Sequence, residues 1–173
     1  MKKVLLLISA LVLAVALTLP IAMPAMAHTN PMLRVALIAG QNLQIGYVDV
    51  WNDTENLYVE FWIFPENSGW LLMKTDLHVA TSFEDIPQNK NGNPKVGHFD
   101  HSEKHGSGVT AYTYTIGLGD WDAGTKLYIA AHADVVFCFD SICCEETAWG
   151  GCCNGQIPFP GRNWAMYFVY WVQ

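Results

Sequence analysis

The sequence predicts an all-β protein, a single-domain antiparallel β-sandwich of about seven or more strands. Three observations carry that expectation. Apolar and polar residues alternate with period two through many segments, and no stretch after the first 27 residues sustains the i, i+3, i+4 spacing of an amphipathic helix. Gly, Asn, Asp and Pro separate the alternating runs.

In chain order, Lys2 and Lys3 precede an almost purely apolar run from Val4 to Leu19, followed by Pro20 and Ala25-Met26-Ala27. This is the three-part pattern of an export signal, so 1–27 reads as a signal peptide cleaved before His28. The run is short for a bilayer crossing, and no cysteine closes it to carry a lipid. Residues 28–173 then form one secreted domain, extracellular or at the cell surface, with length enough for a hydrophobic core. The segment His28–Leu33, polar and then apolar, suits either an arm pairing with a neighbouring sheet or a strand of its own domain. Candidate strands follow at Arg34–Ala39, Ile45–Trp51, Leu57–Phe64, Trp70–Thr81, Val109–Leu118, Lys126–Phe137 and Trp164–Val172.

Asn52-Asp53-Thr54-Glu55-Asn56 reads as a hairpin turn between two strong strands, and its first three residues form a glycosylation sequon. A long loop is expected over 82–108, with Ile86-Pro87-Gln88, Gly92-Asn93-Pro94 and a histidine-rich stretch. A second irregular region, 138–162, holds every cysteine.

Without Lys2 and Lys3 the chain carries seven basic against 16 acidic residues, a net charge of −9. Nucleic acid and anionic membrane both need basic surface, so neither is an expected partner; cations are the more natural ligands.

Several strands are apolar on both faces. Leu57, Val59, Phe61 and Ile63 lie on one side of their strand and Tyr58, Glu60, Trp62 and Phe64 on the other; the last strand repeats the pattern. A sandwich buries one face per strand. The surplus aromatics Tyr47, Trp51, Tyr58, Trp62 and Trp171 must therefore be covered by loops or serve as a contact surface, for a glycan or for protein.

The five cysteines, Cys138, Cys143, Cys144, Cys152 and Cys153, lie within sixteen residues. In a secreted chain disulfides are the default. Adjacent cysteines bond to each other only with strain, so Cys143 and Cys144 are expected to reach toward Cys152 and Cys153, leaving Cys138 over or bonded between chains. A thiolate metal site is the rival reading.

Two further sets could hold a divalent cation such as Ca or Zn. His98, His101 and His105 are closely spaced, with Asp100 and Glu103 between them. On the strands, Asp76 and His78 point away from one aliphatic face, and His132 and Asp134 away from another. An antiparallel register placing His78 opposite His132 and Asp76 opposite Asp134 would gather all four; solvated side chains on open faces are the plainer reading of both sets. Gly106-Ser107-Gly108 lacks the nucleophile elbow, and no H-E-x-x-H or phosphate-cradling loop occurs. Catalysis is not expected.

From Gln41 onward the chain resembles a family of secreted bacterial and archaeal domains without an established activity. The likeness rests on Asn56-Leu57-Tyr58-Val59, Leu77-His78-Val79-Ala80, Ile86-Pro87-Gln88, Gly92-Asn93-Pro94, Leu127-Tyr128-Ile129-Ala130-Ala131-His132-Ala133, Glu146-Thr147-Ala148-Trp149-Gly150 and Asn163-Trp164-Ala165-Met166-Tyr167-Phe168. It implies a part of a cell-surface or exported protein, with the cysteines as a local elaboration. The expected function is a non-catalytic extracellular module for adhesion, matrix or self-assembly, binding itself or other surface proteins, with cation assistance. A carbohydrate-binding module and a metal-dependent enzyme using His78 and His132 are the alternatives.

Overall fold

The computed structural model describes residues 32–64, 69–140, 142–151 and 157–173. The expected leader, the arm up to residue 31, Cys152 and Cys153 lie outside the described residues. The strands are β1 (Leu33–Ala39), β2 (Leu43–Asn52), β3 (Asn56–Ile63), β4 (Trp70–Ala80), β5 (His101–Val109), β6 (Ala111–Gly117), β7 (Lys126–Phe139), β8 (Ile142–Gly150), β9 (Ile157–Pro158) and β10 (Met166–Trp171). All seven expected strands are present. β5, β8 and β9 are additional.

Every pairing is antiparallel, and the sheet runs β5-β4-β7-β8-β1-β2-β3-β6, with β10 also pairing with β7. The edge strands β5 and β6 are consecutive in the chain and separated by Thr110 alone, so the sheet must roll until its edges approach. Ile63 N–H donates to Thr110 O (2.8 Å) at that corner. Side chains finish the closure: Tyr114 O–H of β6 donates to the Thr75 carbonyl of β4 (2.8 Å), and His105 Nε2 of β5 lies 3.0 Å from Thr75 Oγ1. The result is an all-β antiparallel domain that is nearly a barrel.

Alternation fills the inside. Leu57, Val59, Phe61 and Ile63 of β3 are buried, while Tyr58, Glu60 and Trp62 on the other side are half-buried. Val48 and Val50, Leu72 and Leu77, Leu127 and Ile129, and Phe168 join them in one core. Asp53 turns β2 into β3 by accepting N–H bonds from Glu55 (2.8 Å) and Asn56 (2.7 Å), as the turn reading requires. Asn52 is 3 % exposed; its Oδ1 accepts from Tyr170 O–H (2.6 Å) and Gln173 N–H (2.9 Å), which ties the C-terminus to the hairpin and leaves the sequon asparagine inaccessible in the folded protein.

The expected 82–108 loop ends at Asp100, because the histidine-rich stretch enters β5. Two 3-10 turns, Phe83–Asp85 and Val96–His98, shape what remains. This segment lies over the outside of the sheet and builds a second, smaller core from Ala80, Ile86, Phe99, Ala130, Trp149, Phe159, Ala165 and Tyr167. Gly161 N–H donates to Gly92 O (3.1 Å), and Asn163 N–H to Asn93 Oδ1 (3.2 Å), which docks the loop on the final segment.

The cysteine region is also ordered differently from expectation. β7 and β8 form a hairpin in which Cys138 and Cys143 are register partners with Cα atoms 4.2 Å apart, and they form a disulfide. Strand pairing, rather than spacing along the chain, selects the bonded pair: it is Cys138 with Cys143, not Cys143 with Cys152 or Cys153. Cys144 is an exposed free thiol among the described residues.

Candidate binding surfaces

β4 and β7 pair with Asp76 opposite His132 and Lys74 opposite Asp134. His78 faces Ala130, so the expected register is displaced by two residues and the four candidate ligands do not converge. Asp76, 1 % exposed, is surrounded by donors: Ser102 O–H (2.7 Å) and Lys74 Nζ (2.6 Å) on Oδ1, His132 Nδ1 on Oδ2 (3.3 Å). Burial pushes its carboxyl up, but the bonds from His132, Lys74 and Ser102 outweigh this and hold it below the ordinary carboxylate value. An ionised carboxylate only accepts, so Nδ1 of His132 carries the proton. His132 Nε2 is 3.9 Å from Asp134, and Trp149 packs edge-on against the ring at 4.8 Å.

His78 sits elsewhere on β4, beneath the 82–100 segment. Its Nδ1 is 3.3 Å from Asp100 Oδ2 but is not aligned for a hydrogen bond. Burial lowers its pKa and so favours the neutral imidazole, with Asp100 and Asp85 opposing.

The histidine triplet is split by β5. His98 is exposed in its 3-10 turn, whereas His101 and His105 meet the barrel seam, 5.8 Å from Tyr114 and 4.7 Å from Tyr112 between ring centres. Burial lowers the His105 pKa and raises that of Tyr114 to about 12. Among the described residues no three His, Cys, Asp or Glu side chains are gathered to hold a metal ion.

The aromatic expectation fares differently. Tyr47, Trp51, Tyr58 and Trp62 share the outer face of β2 and β3, paired as Tyr47 with Trp62 and Trp51 with Tyr58. Trp51 and Tyr58 stack at 5.3 Å and 13°; Tyr47 and Trp62 are 5.3 Å apart, and Phe64 meets both edge-on. Arg34 of β1 lies over Tyr47 (4.7 Å) and Trp62 (5.1 Å) while gripping Asp49 with two bonds of 2.7 Å. Trp62 Nε1–H also donates to Asp49 (2.9 Å), leaving that carboxylate 2 % exposed on the outside of a sheet. Trp171, 52 % exposed on β10, stands apart beside Lys126.

Compared with protein-family models, curated proteins and solved structures, the chain matches none.

Chemically, the two surfaces differ. At Asp76 the order of contacts is Ser102 to Asp76 to His132, so the serine hydroxyl is spent on the carboxylate and not placed on the imidazole that would activate it. On β1-β2-β3, rings and a planar guanidinium form a half-exposed layer of the residue types that dominate binding hot spots. Sequence reasoning did not single out Arg34, Asp49, Lys74 or Ser102. The signal for the first two was present: each is a lone charge inside an otherwise apolar strand, and such charges need partners.

Proposed function

We propose that this chain is a non-catalytic, extracytoplasmic module that self-assembles through the outer face of β1-β2-β3. The observation that carries the reading is the Arg34 side chain, 43 % exposed, its guanidinium layered on the half-buried Tyr47 and Trp62 and anchored to Asp49. Rigid rings and an immobilised arginine lose little entropy on docking, which is why such groups concentrate binding energy. The export pattern supports the location. The Cys138–Cys143 disulfide, and the lack of any described helix long and apolar enough to cross a membrane, are compatible with it.

Sedimentation velocity over a concentration series of the mature protein tests the reading. Concentration-dependent oligomers are expected, and Tyr47→Ala with Trp62→Ala should abolish them. A monomer at all concentrations, or assembly unchanged in the double variant, would overturn it.

The Trp51–Tyr58 pair favours a second reading, carbohydrate binding. It lies at the other end of the face, away from Arg34, and Tyr58 is opposite the small Thr115 of β6, which leaves room for a sugar ring beside the stack. Retention of monomer on an insoluble polysaccharide, lost in Trp51→Ala, would favour it. Retention that survives replacement of Trp51, Tyr58, Trp62 and Trp171 together would sink it.

A further inference from the structure

On the opposite half of the sheet, the outer surface of β5-β4-β7-β8 carries a groove of about 620 Å³, within the size range of small-ligand sites. We infer that this groove binds a short zwitterionic peptide with a free carboxylate and a free amine, independently of the aromatic face.

The charge layout carries the inference. Register places Lys104, Lys74, Asp134 and Thr147 in one row across the four strands, and Glu145, on the same side of β8 as Thr147, completes that wall. Lys104 and Lys74 are direct cross-strand partners, and with the Lys74 charge already met by Asp76, Lys104 is the cation of the row to which a ligand anion adds most. Asp76 engages Lys74 at 2.6 Å, which fixes the ammonium in place and leaves it further N–H donors. A carboxylate shared by Lys104 and Lys74 would therefore meet a preorganised site. The far wall is acidic and suits an ammonium group.

Geometry sets the ligand's length. Three inter-strand spacings separate β5 from β8, about 14 Å. An extended chain advances about 3.3–3.6 Å per residue, so about four residues span the walls. Met73 provides an apolar floor, and no aromatic ring is among the described lining residues for a sugar to stack on. A purely anionic ligand would meet the acids, and a purely cationic one the lysines.

Calorimetric titration with tetra-alanine, its C-terminal amide and its N-acetyl form tests this. The uncapped peptide is expected to bind, each cap weakening it by about tenfold, the loss of one charged contact. Lys104→Ala should erase the preference for acid over amide. Glu145→Gln should erase the preference for the free amine. Both positions are at the surface, so circular dichroism should show the fold unchanged. No binding at millimolar peptide, equal binding of capped forms, or a discrimination that survives the matching substitution would overturn the assignment.

Discussion

His132 and Asp76 oppose each other across β7 and β4, Nδ1 to Oδ2 at 3.3 Å, on the outside of the sheet, yet they are 7 % and 1 % exposed. Trp149 and the second core shield one side, and Lys74 and Ser102 occupy the remaining carboxylate oxygen. The pair is thus part of a packed polar layer in which each member's position depends on the others.

Asp76→Asn should destabilise the protein by about 3 kcal/mol, because removing one partner of a buried ionic network leaves the others desolvated without compensation. Lys74→Met should cost less, about 1 kcal/mol, since that side chain is 25 % exposed and the pair is partly screened by water. Urea unfolding of the two variants gives the comparison. Equal effects, or a neutral Asp76→Asn, would show that the carboxylate is not the organising group.

Acidification should weaken the fold in two stages. His78 and His105 have folded pKa values lowered by burial, so the unfolded chain takes up their protons first. Their contribution is complete above the unfolded value of about 6.5 and declines as pH falls below it toward the folded values. The lowered Asp76 carboxyl acts further down: its stabilisation is present above the unfolded value of 3.8 and is lost as pH falls through the lower folded one. Melting temperatures measured from pH 8 to pH 3 should fall below pH 6.5 and again below pH 4, and His105→Gln should flatten the first decline. A melting temperature that rises between pH 7 and pH 5 would contradict the burial of neutral histidines.

Where burial is one-sided, the sequence is readable. Leu57–Phe64 alternates because one face meets the core, and Lys126–Phe137 keeps its apolar inner face although Ala130 and His132 are buried outside as well; both strands are where the pattern puts them. β5 escaped notice because His101-Ser102-Glu103-Lys104-His105 has no apolar side: it is an edge strand, with solvent on one face and the polar seam residues Thr75 and Tyr114 near the other. β8 was hidden by its cysteines and glutamates, which are exposed at the hairpin end and give way to buried Ala148 and Trp149 only near its close. The outer-face candidates depended on register. Asp76 pairs with His132 and Lys74 with Asp134 because β4 and β7 sit two residues from the expected register, and nothing in local sequence sets which of two same-face registers two such strands adopt. The aromatic face needed no register to be recognised, because surplus rings on an outward face must be explained wherever the strands pair.

Arg34→Lys should cost about 2 kcal/mol despite keeping the charge. An ammonium cannot hold Asp49 with two parallel bonds or lie flat on Tyr47 and Trp62, so the 2 %-exposed carboxylate loses part of its compensation. Thermal unfolding provides the measurement, and Trp62 fluorescence should redden as the ring gains water. A lysine variant as stable as the parent would mean that charge alone, not the guanidinium fork, secures this face.

The Cys138–Cys143 bond closes a loop of about six residues, for which chain-entropy arguments give about 2 kcal/mol at most. Because it sits at the tip of a hairpin whose Phe139 and Ile142 are already exposed, its loss should be felt locally. In the double variant Cys138→Ser with Cys143→Ser, hydrogen exchange should quicken at Phe137 and Cys144 while the centre of β7, around Ile129 to Ala133, keeps its protection. Peptide mapping of a Cys144→Ser protein should recover Cys138 linked to Cys143. Recovery of Cys143 linked instead to Cys152 or Cys153 would show that the bond is not chosen by strand register, and the hairpin would then have to be rebuilt around a different crosslink.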